Sequence, residues 1–182
     1  KLRRIKDLEI CFFVNHDDTG ATCAVYRSIS EKVVVVSFRG TCAPIDLVTD
    51  TTLVQDAWVQ GEDVEETETV KVHAGFRRSL DSISRRLKEL ILAVPDDGDT
   101  LVDYDMLVTG HSLGGALSTL FAADIAEYGV DAGRGLPQLA PSDEWWKSIA
   151  NTLTGTKAQE TNSNASPPRP KSLFLYNFGS PR

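Results

Sequence analysis

Tyr104-Asp105-Met106-Leu107-Val108-Thr109-Gly110-His111-Ser112-Leu113-Gly114-Gly115-Ala116-Leu117-Ser118-Thr119-Leu120 is the stretch that decides how this chain folds. Met106-Leu107-Val108 is a short apolar run suited to a strand buried on both faces. Leu113 to Tyr128 reads as a helix, with Ala116, Ala122 and Ala123 among larger residues so that it can pack closely on a sheet. Between them, Gly110-His111-Ser112-Leu113-Gly114 fits the Gly-x-Ser-x-Gly turn. That turn holds its serine in strained backbone geometry and projects the hydroxyl above the sheet edge. Side chains two positions to either side would collide with neighbouring backbone, so glycine is required at 110 and 114. The amino terminus of the following helix favours negative charge beside the serine, as a tetrahedral intermediate would place there. Ser112 is the candidate nucleophile.

Outward from this centre, the pattern continues as alternating strands and helices. Ala24–Arg27 and Val33–Phe38 read as neighbouring strands, the second β-branched almost throughout as in a central strand. Arg39-Gly40-Thr41 leaves that strand as a turn, Pro44 opens a short helix, and Thr52–Val59 is a candidate strand. Gly61–Thr69 is an acidic loop without the spacing of a calcium site. Phe76, Leu80, Ile83, Leu87, Leu90, Ile91 and Val94 recur at helical spacing, with Arg77, Arg78, Asp81, Arg85, Arg86 and Lys88 on the remaining faces. That helix ends before Pro95. Leu173–Phe178 is the last apolar strand. The order predicts an α/β fold with a mainly parallel sheet and flanking helices.

The stretch between helix and last strand, about 129–171, is far longer than the usual connection of about 2–6 residues, and is expected to be an insertion. Within it Ser142-Asp143-Glu144 caps a short helix bearing Trp145, Trp146, Ile149 and Leu153. The tryptophans suit either packing on the core or anchoring at a lipid surface. Gly155–Pro170 is polar and proline-rich and is expected to be partly disordered.

The 182 residues are one domain's worth of chain or part of a larger one, and 41% hydrophobic content suffices for a core. A net charge of −7 argues against a nucleic-acid partner. No run approaches the ~20 apolar residues of a transmembrane segment. Cys11, Cys23 and Cys42 form no Cys-x-x-Cys pair, so neither a zinc site nor a disulfide framework is indicated, and the setting leans to a reducing, intracellular one. Lys1 in place of Met suggests that the chain does not start at its natural start.

A serine alcohol needs a base, a group to orient that base, and donors for the oxyanion. The N–H of the residue after the serine, Leu113, is one such donor, and the loop after Val33–Phe38 is placed to supply another. Four segments resemble the class 3 (fungal-type) triacylglycerol lipase family: Val-Ser-Phe-Arg-Gly-Thr at 36–41, Val-His-Ala-Gly-Phe at 72–76, Val-Thr-Gly-His-Ser-Leu-Gly-Gly-Ala-Leu at 108–117 and Tyr-Asn-Phe-Gly-Ser-Pro-Arg at 176–182. The resemblance implies an α/β-hydrolase core, incomplete at its carboxyl end, that hydrolyses carboxylic esters of acylglycerols or other acyl-lipids without metal or organic cofactor. Lipid-surface contact is implied as peripheral.

Carried across by resemblance, Ser112 is the nucleophile, Thr41 and Leu113 form the oxyanion hole, and residues 42–54 correspond to the lid, where Leu47 replaces a common tryptophan. Asp50 matches an aspartate near that lid, there to orient Thr41 or its loop; a capping or solvated role fits its residue type as well. His73 matches a structural histidine, and α/β-hydrolases place acid and base after the serine. His111 cannot fold back onto its neighbour's hydroxyl, and His16 lies in a polar Asn-His-Asp-Asp run. No histidine follows Ser112. The resemblance therefore implies that the triad acid and base lie beyond residue 182, and that the 182 residues alone are inert. A lipase-like scaffold without hydrolysis, and an acyltransferase or non-lipid esterase on the same fold, are the rival readings.

Overall fold

The computed structural model describes residues 4–40, 55–57, 71–132 and 166–180. Strands β1 (Glu9–His16), β2 (Ala21–Ser28), β3 (Val33–Phe38), β6 (Asp105–His111) and β7 (Ser172–Phe178) form one sheet in the order β1-β2-β3-β6-β7. The short strands β4 (Gln55–Ala57) and β5 (Lys71–His73) pair separately as an antiparallel ribbon. The helices are α1 (Ala74–Leu92) and α2 (Leu113–Tyr128). The half of the sheet that carries the serine turn is parallel, with β6 between β3 and β7. The amino-terminal half adds two antiparallel pairings, β1 with β2 and β2 with β3.

Strand alternation sends every second residue to one face, and the register aligns them across the sheet. Val34 lies beside Met106 and Leu173, and Val36 beside Val108 and Leu175. Val14, Cys23 and Val25 extend this face onto the amino-terminal hairpin. Both helices cover it: α1 lies on β1 and β2, α2 on β3, β6 and β7, and the helices touch each other. Leu80, Ile83, Leu87 and Ile91 of α1 meet Leu117, Phe121 and Ile125 of α2 in one core, where the Phe38 and Phe121 rings pack at 5.5 Å. Burial of side chains this size stabilises by roughly 1.5–3 kcal/mol each.

The charged positions of α1 are not all on solvent faces. Arg77, Ser84 and Lys88 are buried, Asp81 is partly buried beside them, and spacings of four, three and four place the four on one stripe. Lys88 Nζ reaches Asp124 Oδ2 of α2 at 2.6 Å, and Arg77 Nε lies 3.5 Å from Asp81 Oδ2. Residues 166–170, within the stretch whose composition suggests disorder, are fixed against α2. The Val130 N–H donates to the Pro168 carbonyl at 2.8 Å, and the Arg169 guanidinium donates to the carbonyls of Ala126 and Glu127. The Ala126 and Glu127 carbonyls at the end of the helix are thus served by one side chain.

Candidate active site

β6 runs to His111 and α2 begins at Leu113, so Ser112 is the whole connection. Its backbone sits at φ 54° and ψ −125°, a conformation that non-glycine residues rarely enter. Hydrogen bonds on both sides hold it there. The Ser112 N–H donates to the Phe178 carbonyl at 3.0 Å, and its own carbonyl accepts from the N–H groups of Gly115 at 2.8 Å and Ala116 at 3.2 Å. The side chain makes no capping bond to α2. As the first helical residue, Leu113 has an N–H without an intrahelical acceptor, directed from the helix end where partial positive charge accumulates.

The glycines around Ser112 are fixed by contact. A Cβ on Gly110 would overlap the Gly114 carbonyl, and one on Gly114 would overlap the Phe38 carbonyl at the end of β3. A Cβ on Gly40 would lie 2.8 Å from the His111 carbonyl oxygen and 3.7 Å from Ser112 Cβ. The chain leaving β3 therefore runs against the serine turn. Thr41 follows Gly40 directly, but Thr41, Asp50, the rest of 42–54 and Trp145-Trp146 lie outside the described residues.

Each histidine has a defined place. His73 caps α1: its Nδ1 accepts the Gly75 N–H at 3.1 Å, and its ring packs on Phe76 at 4.6 Å. An accepting Nδ1 puts the proton on Nε2, and the residue serves the helix end as its sequence position suggests. His16 closes β1, with Nδ1 3.3 Å from Thr19 Oγ1, so it is tied into the hairpin turn. His111 is exposed, with Nε2 alongside Gly179.

Sequence reasoning passed over Asn177, which the structure brings to the first turn of α2. On β7 it stands opposite Gly110, and its Nδ2 donates to the Gly115 carbonyl at 3.3 Å and to Thr119 Oγ1 at 2.8 Å. An amide inside the otherwise apolar Leu173–Phe178 run was the available signal. Among the described residues no cluster of three His, Cys, Asp or Glu could hold a metal ion, and no helix is long and apolar enough to cross a membrane.

The family model for class 3 lipases matches residues 35–139, which include most of β3, the serine turn and both helices. The chain belongs to the class 3 lipase family. This class 3 lipase chain is 37% identical to a lipase of Rhizomucor miehei over 110 residues, 59% of the chain and 27% of that protein. A secreted mono- and diacylglycerol lipase of Fusarium solani is 26% identical over 167 residues, 90% of the chain and 47% of the relative. The solved triacylglyceride lipase of Rhizomucor miehei superimposes with a TM-score of 0.51 at 29% identity, over 67% of the chain and 43% of the lipase. The fold is that of the α/β-hydrolase lipases, and the chain spans about a quarter to a half of the length of these curated relatives.

Proposed function

We propose that this chain carries the nucleophile of a serine carboxylic ester hydrolase acting on acylglycerols or related acyl-lipids. The observation that carries the reading is Ser112 at φ 54°, between a strand and a helix that only glycines at 110 and 114 allow to meet. In this mechanism Ser112 Oγ attacks the ester carbonyl as a base takes its proton. The oxyanion that forms is met by the Leu113 N–H and, on the family's pattern, by the N–H and hydroxyl of Thr41. Collapse of the intermediate breaks the ester C–O bond and expels the alcohol, which takes a proton from the base. Water then hydrolyses the acyl-serine by the same steps.

His73 spends Nδ1 on its helix cap and His16 is tied to Thr19, which supports assigning neither as the base. We assign base and orienting acid to polypeptide outside residues 1–182, consistent with the Ser-acid-His order of the fold. The substrates named for the relatives are poorly soluble, which supports peripheral encounter at a lipid surface. Asp50 is proposed to order the Thr41 loop.

The test uses the protein expressed from its complete reading frame. A fluorophosphonate probe should label Ser112, and Ser112→Ala should abolish labelling and lower ester turnover by several orders of magnitude. Retention of a tenth of wild-type turnover by the alanine variant would overturn the assignment. Adding an alcohol acceptor and analysing products separates hydrolysis from acyl transfer.

A further inference from the structure

Three separate groups converge on one backbone atom beneath the serine turn. The Gly115 carbonyl oxygen accepts from Ser118 Oγ at 2.8 Å, from Thr119 Oγ1 at 2.9 Å and from Asn177 Nδ2 at 3.3 Å. Gly115 is three residues after Ser112, and its N–H donates to the Ser112 carbonyl. Anything that moves Gly115 therefore moves the serine. The directions of these bonds fix the amide's orientation. Thr119 commits its single proton to the Gly115 carbonyl, so its oxygen can only accept from Asn177, which places Nδ2 and not Oδ1 against it. Oδ1 then lies where a side chain on Gly115 would be: a Cβ there would be 2.8 Å away. The adjacent residue, Phe178, holds the Ser112 N–H through its carbonyl.

We infer that Asn177 is a positioning residue for the Ser112 chemistry, acting through Gly115 and Thr119 to set where the first turn of α2 meets the end of β7. It touches no reacting atom. Its effect is on the height and tilt of the helix start, and so on the Leu113 N–H and Ser112 Oγ together. Transition-state stabilisation by fixed donors depends on such placement, and displacements of an ångström or less are costly. Asn177 makes two hydrogen bonds here, and water would not reproduce its fit over Gly115. The effect is therefore sized as that of one or two ordinary hydrogen bonds. This inference rests on the proposed esterase reading.

The experiment compares wild type, Ser112→Ala, Asn177→Leu, Asn177→Asp, Thr119→Val and the Asn177→Leu/Thr119→Val double variant, each expressed from the complete reading frame. The measurements are kcat and KM on a soluble p-nitrophenyl ester, the rate of fluorophosphonate labelling per folded molecule, and Tm. Asn177→Leu should lower kcat and labelling together by about three- to tenfold, with KM within about twofold. Asn177→Asp, near-isosteric but with no donor for two committed acceptors, should lose tenfold or more. Thr119→Val should lose less than Asn177→Leu, and the double variant less than the product of the two single losses, because the Asn177–Thr119 contact is removed in both. Folded Asn177 variants that lower Tm yet keep kcat and labelling within twofold would overturn the inference, as would losses that multiply in the double variant. Should both Asn177 variants fail to fold, unchanged labelling in Thr119→Val overturns it and a drop supports it. Wild type that does not label while fully folded overturns the esterase reading and this inference with it; labelled wild type with indifferent Asn177 variants overturns the inference alone.

Discussion

At Ser112 the backbone takes φ 54° and ψ −125°, which costs a residue other than glycine on the order of 1–3 kcal/mol. A glycine would enter the same region freely. Ser112→Gly should therefore be more stable than Ser112→Ala by about 1–2 kcal/mol, both being devoid of ester turnover, as read from urea midpoints of the two variants. Equal midpoints would show that the turn is not strained. The glycines at 110 and 114 were legible in the sequence because their requirement is local, set by a strand and a helix that meet within five residues. Asn177 was not legible, because its partners lie 58 and 62 residues away and depend on how closely β7 approaches α2.

Between the two helices the balance is electrostatic. Lys88 is 1% exposed and paired with Asp124, so removing one partner strands a buried charge. Lys88→Met should cost about 3–5 kcal/mol, and adding Asp124→Leu should recover most of it. A double variant as unstable as the single would contradict this. Asp81, on the same stripe, is pushed up to about 6 by burial, opposed by the Arg77 guanidinium beside it. A carboxyl whose pKa is raised on folding binds its proton more tightly when folded, so its contribution rises as pH falls from above 6 toward 3.8. The stability of wild type relative to Asp81→Asn should then increase between pH 7 and pH 4.5, by up to about 2 kcal/mol; a flat difference would remove the assignment. α1 was legible because its apolar period is strong, whereas α2, apolar on most of its faces, was legible from the serine turn before it and its small residues, and it matches its predicted span. β1 was not: the register shift between Ile10 and Phe12 leaves Cys11 as an extra residue and breaks the alternation that marks a strand. Nor could the buried stripe be read, since a charged row on a helix is ordinarily a solvated one.

For the molecule as a whole, the α/β arrangement and its family were legible from four short segments, while the antiparallel hairpin at the sheet's amino-terminal end was not. At the far side of the described sheet, β7 and the segment leading into it brace α2 at both ends: Asn177 and the Phe178 carbonyl hold its start, Arg169 holds its last carbonyls, and the Pro168 carbonyl holds Val130, two residues past its end. The Val130–Pro168 bond joins the points where the chain departs toward residue 133 and comes back from 165. Residues 133–165 therefore start and finish at one root, ~24 Å along α2 from Ser112. Such a root is a mounting point. A compact reporter domain with adjacent termini, grafted between 150 and 160 in the protein expressed from its complete reading frame, should leave turnover of a soluble ester within about twofold, since closure entropy grows only slowly with loop length. A large fall in kcat with the graft well folded would show that residues 133–165 communicate with the serine.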